Sequence, residues 1–458
     1  MKKMFSNVLY KKLISDENIY HAIYSLNSYI ENKELLHDSD LNELYKLQDI
    51  FDEKLINEYI CKVREKIKSL LKNDDYLLAK VYFKPKKYEI DEEKGKGAVK
   101  FRPLHTTSIF EYITIVAMMQ VIVYESKDLC QDCNYVKCKN KNKSTNCNKI
   151  ILSSLSRLIP HNFYGNKIST IPENFIIPWK HQYKEYTANA NEYFKKYNMS
   201  GEFRYEVNLD LVDFFPSIDP VIVYNYVIQH LPVTYSDGEI ELVKKILIKL
   251  LFIRIDIDDD NDEILNLYYD DQVPKQFSQN KIRFVRGLPQ GLPHAYYFAN
   301  LCMIEISKIY EKAFQGKSLY YVDDSVIFTN KIGDEEDGKD NQNNKNLEDK
   351  KEMNMIKAFS DKISAINEEI VKFEKHYKKI EENDNNNILN NSYTGLYGIK
   401  VHNEVIKEDS KSWFSDLTKA SEGEIYLNGI SRETSKTSFD IYTSQSDDED
   451  ITLKNRLF

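Results

Sequence analysis

Two adjacent aspartates, Asp323 and Asp324, stand inside the β-prone run of residues 320–328. The alternation on either side of them predicts a hairpin with the acids at or near its turn. Neighbouring carboxylates repel each other, and the usual reason for a protein to hold them together is a divalent metal ion. A solvated Asp-Asp turn is the alternative, and the pair alone does not decide between the two.

A third acid and a loop rich in glycine and proline precede this pair in the chain. Asp210 lies in the largely apolar run 207–218, which predicts a short strand that delivers its carboxylate before a turn at Pro216. Residues 286–293, Arg-Gly-Leu-Pro-Gln-Gly-Leu-Pro, predict a loop that opens a long apolar helix. The chain therefore carries a strand ending in an acid, a loop entering a helix, and a hairpin with two acids, in that order.

These motifs, in this order and at this spacing, resemble the palm of reverse transcriptases. They match the first catalytic motif, the Pro-Gln-Gly motif and the Tyr-x-Asp-Asp box of that family. The Phe-Phe-Pro-Ser-Ile that ends at Ile218 and the Gly-Leu-Pro-Gln-Gly-Leu-Pro that ends at Pro293 are most similar to the bacterial defence-associated and abortive-infection enzymes. Retron and group II intron reverse transcriptases are the relatives of that group.

Two departures from the family pattern concern the handling of a template. The Asn-Ala-x-x-His signature of retrons is absent, because Tyr193 stands where it requires histidine. After Gly291 the chain reads Leu-Pro-His-Ala-Tyr-Tyr, where many relatives carry a smaller run with Ser or Thr. The resemblance therefore leaves open whether the chain copies RNA or polymerises without a template from a protein primer.

The resemblance implies an α+β, right-hand polymerase fold with fingers and an RRM-like antiparallel palm sheet covered by helices. It divides the chain into an N-terminal helical region, fingers with a Cys/Lys-rich insertion, a palm with a low-complexity insertion, and an acidic tail. The N-terminal region is 1–77, the fingers are 78–200 with their insertion at 128–150, the palm is 201–435 with its insertion at 333–354, and the tail is 436–458. A helical thumb needs about 80 residues. The thumb is therefore expected to be reduced or absent, or supplied by a protein partner, a second copy or a longer natural chain.

The chemistry that the resemblance implies is nucleotidyl transfer from dNTPs with two Mg²⁺ ions roughly 3.5–4 Å apart. Magnesium prefers hard oxygen ligands, for which carboxylates are suited. Asp210 and Asp323 are expected to bridge the ions, and Asp324 is expected to be auxiliary. The backbone carbonyl of Leu211 is expected to complete the shell of the ion that binds the triphosphate.

Residues 78–125 predict a basic hairpin with a glycine-rich tip, followed by a helix. Lys and Arg neutralise phosphate, so such a hairpin could close on a triphosphate. A solvated edge hairpin guarded by lysines is the alternative. By resemblance to the fingers of reverse transcriptases, Arg102 matches their triphosphate-binding arginine, and Lys100 and Lys96 are weaker candidates.

Further contacts are carried over from the family motifs. Phe215 falls where reverse transcriptases place an aromatic ring that excludes a 2′-hydroxyl and so selects deoxynucleotides. The alternative for Phe214 and Phe215 is core packing, and one of the two is expected to pack because adjacent strand residues face opposite ways. The other residues expected at the nucleotide or at the primer end are Asp213, Gln290, Gly291 and Tyr321.

Four cysteines lie close together in the Cys/Lys-rich insertion. Their spacing, C-x2-C-x4-C-x8-C, could supply a tetrahedral zinc site from Cys130, Cys133, Cys138 and Cys147. The spacing lacks the paired knuckles of strong zinc motifs, and free thiols in a Lys/Asn-rich insertion are the alternative.

The last third of the chain contains three weaker patterns. A helix is predicted over 356–377, and a strand over 393–401. Lys411 would suit the lysine of the fourth palm motif, and the hairpin predicted over 424–432 would suit the primer grip.

Composition narrows the class of protein. The chain has 458 residues, is 42% hydrophobic and carries a net charge of −9, which suits a globular protein and argues against indiscriminate nucleic-acid binding. The negative net charge is still compatible with a local basic channel, since 137–149 contains five lysines and no acid. The start lacks the apolar core of a signal peptide, and the longest apolar run is too short to span a bilayer. We therefore expect a cytoplasmic protein with no membrane partner.

Together with these patterns, the resemblance implies an RNA-directed DNA polymerase in antiphage defence. Its partners would be dNTPs, an RNA template (expected to be an associated non-coding RNA) and the nascent DNA. An RNA-dependent RNA polymerase is one alternative, which Phe215 disfavours. A catalytically inactive scaffold that binds nucleic acid is the other, which the retention of Asp210, Asp323 and Asp324 disfavours.

Overall fold

The computed structural model describes most of the chain between residues 7 and 433. The described ranges are 7–26, 30, 36–48, 52–72, 75–91, 96–125, 150–200, 202–203, 205–256, 268, 284–332, 345–379, 399–401, 424–427 and 430–433. For 48, 86–91, 96–100, 197–200, 345–356, 424–427 and 430–433 only the backbone is described. Within these ranges the chain is a mixed α+β protein.

The N-terminal part is a layer of helices around one buried helix. Four helices, α1 (Val8–Leu13), α2 (Asp16–Tyr24), α3 (Asp38–Gln48) and α4 (Glu53–Lys72), pack on or beside α5 (Ile109–Val123). Because α5 is apolar on nearly all sides, it is buried almost throughout. The buried Asn18 amide donates hydrogen bonds to the carbonyls of Leu13 and Ala117, at 3.0 and 2.9 Å, and so joins this layer to α5. The helices predicted in this region are confirmed.

The basic hairpin is also confirmed. Strands β1 (Leu78–Asp91) and β2 (Lys96–Thr106) pair antiparallel, with Lys84 opposite Arg102. The hairpin leads directly into α5, whose first turn is capped by the Ser108 hydroxyl.

The remaining elements alternate helices with short strands. The helices are α6 (Trp179–Ser200), α7 (Phe214–Ser217), α8 (Pro220–Gln229), α9 (Asp237–Leu251), α10 (Pro293–Phe314) and α11 (Lys345–Lys378), besides a 3₁₀ turn at Ser156–Leu158. The strands are β3 (Phe163–Tyr164), β4 (Tyr205–Leu209), β5 (Arg254–Ile255), β6 (Lys317–Tyr321), β7 (Asp324–Thr329), β8 (Glu424–Leu427) and β9 (Ile430–Glu433). β5 extends the β1–β2 hairpin by pairing parallel with the start of β1.

Four of these strands form one sheet in the order β3-β6-β7-β4. The pairs β6–β7 and β7–β4 are antiparallel, whereas β3 pairs parallel with β6. The expectation of a wholly antiparallel sheet is therefore wrong for this pair. A long stretch of chain separates β3 from β6, and such a crossover permits parallel pairing where a tight hairpin would not.

Both faces of this sheet are covered. Alternation along β6 and β7 sends Tyr320 and Ile327 to the main core, where Tyr320 stacks on Tyr310 of α10. Leu319 and Phe328 point to the opposite face and pack in the aromatic cluster of α6. The sheet is thus a rigid platform, and its strand ends are where polar groups can meet solvent.

The late part of the chain adds a helix and a short bridge to this platform. Helix α11 begins at Lys345 rather than near residue 356, so it enters the predicted low-complexity insertion; it packs on α8 and α10. Val401 bridges antiparallel to Leu211, and the Val212 N–H donates to the Lys400 carbonyl at 3.0 Å. The hairpin predicted over 424–432 is confirmed as β8–β9.

Some predictions cannot be compared with the structure. The four clustered cysteines and Lys411 lie outside the described residues, as do residues 393–398 of the predicted strand 393–401. Among the helices that are described, none is long and apolar enough to cross a membrane.

Close backbone contact joins the 286–292 loop to the turn after β4. The Leu288 N–H donates to the Phe215 carbonyl at 2.9 Å. Gly287 has a φ of 62°, and a Cβ there would lie 2.4 Å from the same carbonyl oxygen. Glycine is required here by conformation and by space, because any side chain would push the loop from the turn that follows Asp210.

We expect Gly287→Ala to lower the free energy of unfolding by about 2–4 kcal/mol, from left-handed strain and the clash with Phe215. Gly238→Ala, in the first turn of α9, is the matched control and should change stability by at most about 1 kcal/mol. Chemical denaturation measures both. Equal effects of the two changes would contradict the contact described for Gly287.

Candidate active site

The three predicted acids lie on neighbouring strand ends of the four-stranded sheet. Asp210 directly follows β4 and is exposed, whereas Asp323 and Asp324 are partly buried at the turn between β6 and β7. Leu209 pairs with Ser325 across β4 and β7. Continuing that register by one residue sets Asp210 opposite Asp324. The sheet therefore brings together carboxylates that are more than a hundred positions apart in the chain.

The turn that presents Asp323 is strained. Tyr321 pairs with Asp324, so Val322 and Asp323 form a two-residue turn, and Val322 has a φ of 60°. A β-branched residue in the left-handed region costs about 1–3 kcal/mol. The Val322 N–H donates to the Tyr164 carbonyl at 3.3 Å, so β3 helps to hold the turn in this conformation. The strain therefore lies in the turn that carries the Asp323 carboxylate.

The acids influence one another electrostatically. The pKa of Asp324 is raised well above its usual range by burial, then by the negative charges of Asp323 and Asp210, and is lowered in part by Arg102. Burial is also the main reason that the pKa of the Tyr310 hydroxyl beneath the sheet is raised, with Tyr320 and the same two acids contributing. The three carboxylates and the Arg102 guanidinium thus share one electrostatic environment.

The donor set suits a hard cation, although the carboxylates are not preassembled around one. Within the described ranges, no three His, Cys, Asp or Glu side chains form a ready-made metal site. All three groups offer hard oxygen ligands, and mutual repulsion among partly buried carboxylates is the condition that a divalent cation relieves. The three carboxylates are therefore ligands of the type that Mg²⁺ prefers.

The loop containing Gln290 is docked on the strand that carries Arg102. The His105 N–H donates to the Gln290 carbonyl at 2.8 Å. Gly291 has a φ of 110°, and a Cβ there would lie 2.3 Å from the His105 carbonyl oxygen. Gln290 and Gly291 therefore contact β2 at His105, which lies three residues after Arg102. The side chain of Lys100, two residues on the other side of Arg102, is not described.

The turn after Asp210 is helical, which changes the expectation for its two phenylalanines. Phe214 and Phe215 lie in α7 rather than in a strand, and both are buried, with 2% and 4% of their surface exposed. The expectation that at least one of them packs is confirmed, although its reason, strand alternation, does not apply in a helix. Phe215 packs edge-on against Tyr296 of α10, with ring centroids 5.5 Å apart. The Phe215 carbonyl accepts the Leu288 N–H of the loop that contains Gln290.

The other predicted residues flank the acids. Asp213 is exposed at the start of α7 with a φ of 41°, and Leu211 is buried beside Val401. Tyr321 packs against α6, with its ring centroid 5.3 Å from that of Tyr183 and 5.5 Å from that of Tyr186.

Two residues without any motif also contribute to this region. His105 of β2 and Tyr268 are both buried, and they contact each other beneath the loop of Gln290. Neither belongs to a pattern that distinguishes it from an ordinary polar or aromatic residue. Only the tertiary arrangement reveals them.

No protein-family model matches the chain, and no curated protein matches its sequence.

The raised pKa of Asp324 predicts a pH-dependent effect of its removal in the absence of divalent cations. Between the unfolded pKa of about 4 and the raised native pKa, the native state retains a proton that the unfolded state releases, so stability falls as pH rises. We expect Asp324→Asn to unfold at a higher temperature than wild type at pH 8 in EDTA, and the difference to shrink towards pH 4.

Thermal unfolding across this pH range measures the effect. Asp361→Asn on α11, which removes one exposed acid, is the control and should show no such pH-dependent gain. A wild-type chain at least as stable as Asp324→Asn at every pH would contradict the electrostatic account.

Proposed function

We propose that the chain is a DNA polymerase of reverse-transcriptase type, which transfers nucleotides from dNTPs to a primer 3′-hydroxyl. The observation that carries the proposal is the meeting of Asp210, Asp323 and Asp324 at one edge of the sheet, within the electrostatic reach of Arg102. An acid cluster opposite a fixed cation is what a nucleotide triphosphate and its metal ions require.

The architecture supports the proposal. In this assignment the four-stranded sheet is the palm and the β1–β2 hairpin belongs to the fingers. The loop of Gln290 contacts both: it is bonded to Phe215 on the palm side and to His105 on the hairpin side. A right-hand polymerase needs such a junction, because the nucleotide binds between fingers and palm.

Two Mg²⁺ ions, when bound, would lower the barrier by activating the primer hydroxyl and neutralising the leaving pyrophosphate. Asp210, Asp323 and the Leu211 carbonyl are the groups that would hold them, with Asp324 as the auxiliary carboxylate. A zinc site at the four clustered cysteines remains a prediction from their spacing.

The other residues would act on the nucleotide and the primer. The Arg102 guanidinium would bind the triphosphate, assisted by Lys100, and the Gln290 loop would contact the incoming nucleotide. Phe215, whose carbonyl accepts the Leu288 N–H of that loop, would restrict the space for a 2′-hydroxyl. Tyr321, anchored on α6, would lie near the primer end.

The template and the biological role follow from the motif resemblance alone. We propose an RNA template, supplied as an associated RNA, and a role in antiphage defence. The Phe215 argument favours DNA rather than RNA synthesis.

Incorporation of labelled dNTPs by the purified chain tests this function directly. We expect Mg²⁺-dependent incorporation, and a loss of about a thousandfold or more in Asp323→Asn, since one metal ligand contributes several kcal/mol. Asp361→Asn is the matched control, because it removes the same charge from the solvent-exposed face of α11.

Parallel arms separate the alternatives. Incorporation of rNTPs in place of dNTPs would overturn the DNA assignment in favour of an RNA polymerase. No incorporation with any template, or activity unchanged in Asp323→Asn, would overturn the catalytic assignment and favour a scaffold. Product that changes mobility after protease treatment would identify a protein primer.

A further inference from the structure

A buried pair, His105 and Tyr268, lies between β2 and the loop of Gln290. The two side chains are 2% exposed each. His105 Nε2 is 3.0 Å from the Tyr268 hydroxyl, and its Nδ1 is 3.1 Å from the Gln290 carbonyl oxygen. The same carbonyl also accepts the His105 backbone N–H at 2.8 Å.

The hydrogen-bond partners determine the tautomer of His105. A carbonyl oxygen only accepts, so Nδ1 must carry the hydrogen that it shares with Gln290. The Tyr268 hydroxyl already accepts the Arg286 backbone N–H at 2.8 Å. Its own hydrogen is then available to Nε2, which accepts it if the ring is neutral. The Arg286 backbone N–H, the Tyr268 hydroxyl and the His105 Nδ1–H each have an acceptor in this one arrangement.

Burial keeps the ring neutral. It lowers the pKa of His105 to about 4, against a smaller upward effect of the bond to the Gln290 carbonyl. The neutral ring is the form that the hydrogen-bond pattern requires.

The pair connects two parts of the proposed nucleotide site. Arg102 lies three residues before His105 on the same strand, and Gln290 receives both His105 hydrogen bonds. Tyr268 reaches the other end of the loop, where Arg286 donates to its hydroxyl and, from Nη1 at 3.3 Å, to its carbonyl. A change at either ring would therefore alter the loop at Gln290 relative to Arg102.

We propose that His105 and Tyr268 are positioning residues, which hold the Gln290 loop against β2 so that Gln290 and Arg102 act on the same nucleotide. The inference rests on the proposed polymerase function and adds to it two residues that no motif indicates. A purely structural role predicts lower stability without a specific effect on nucleotide binding.

Tyr268→Phe removes the hydroxyl and leaves the ring. We expect the KM for dNTP to rise about three- to tenfold, the value of one buried hydrogen bond, with kcat within twofold of wild type. The matched control is Tyr297→Phe on α10, which removes another buried hydroxyl, bonded to Ser156 at 3.0 Å. It should leave the KM unchanged. Equal KM effects in the two variants, or a loss in kcat alone, would overturn the proposal.

His105 allows a rescue experiment. The side-chain amide of His105→Asn can place a donor where Nδ1 stands, whereas His105→Leu cannot. We expect the KM of the Asn variant to lie closer to wild type than that of the Leu variant, when both are compared at equal folded fraction. Indistinguishable KM values would overturn the role of the Nδ1–H bond.

Two measurements do not depend on polymerisation, so they separate this inference from the proposed function. The ¹⁵N shifts of labelled histidine in the full chain should show His105 as the Nδ1–H tautomer, and Tyr268→Phe should perturb that signal. Titration with a fluorescent dATP analogue should show weaker binding in Tyr268→Phe than in Tyr297→Phe. An Nε2–H tautomer in wild type, or equal affinities, would overturn the positioning role even if polymerisation is confirmed.

Discussion

Repulsion among three carboxylates at one sheet edge is the constraint on which the rest of the structure depends. Asp210 follows β4, Asp324 begins the adjacent strand β7, and Asp323 lies in the turn before it. Burial, together with the charges of Asp323 and Asp210, raises the pKa of Asp324, and the repulsion among the acids opposes the fold that brings them together. A protein retains an arrangement of this kind when a ligand of opposite charge compensates it, which is why the acids and not the surrounding packing direct the functional assignment.

The surroundings hold the acids in place against that repulsion. The sheet is covered on both faces, and β3 supports the strained Val322 turn through the Tyr164 carbonyl. The loop after Arg286 approaches two backbones so closely that Gly287 and Gly291 leave no space for a side chain. These contacts bring Arg102 of β2, the Gln290 loop and the acids of the sheet into a common region. The three groups come from distant parts of the chain.

Sequence reasoning succeeded where the signal is local. Hairpin periodicity around Asp323, the apolar run around Asp210 and the proline-marked start of α10 are each visible within a few consecutive residues, and all three are confirmed. It failed where tertiary contacts decide. The parallel pairing of β3 depends on β6, which lies far away in the sequence. The His105–Tyr268 pair carries no pattern at all, because its function comes from two hydrogen bonds that only the folded chain creates.

We propose that these acids together hold divalent cations beside a nucleotide. Crystals of the wild-type chain grown with Mn²⁺ and a dNTP would test it, because manganese can be located by its anomalous scattering and shares the oxygen preference of magnesium. The account predicts two manganese peaks between Asp210 and Asp323 that disappear in Asp323→Asn. Manganese bound elsewhere, or no peak between the acids with nucleotide present, would contradict it.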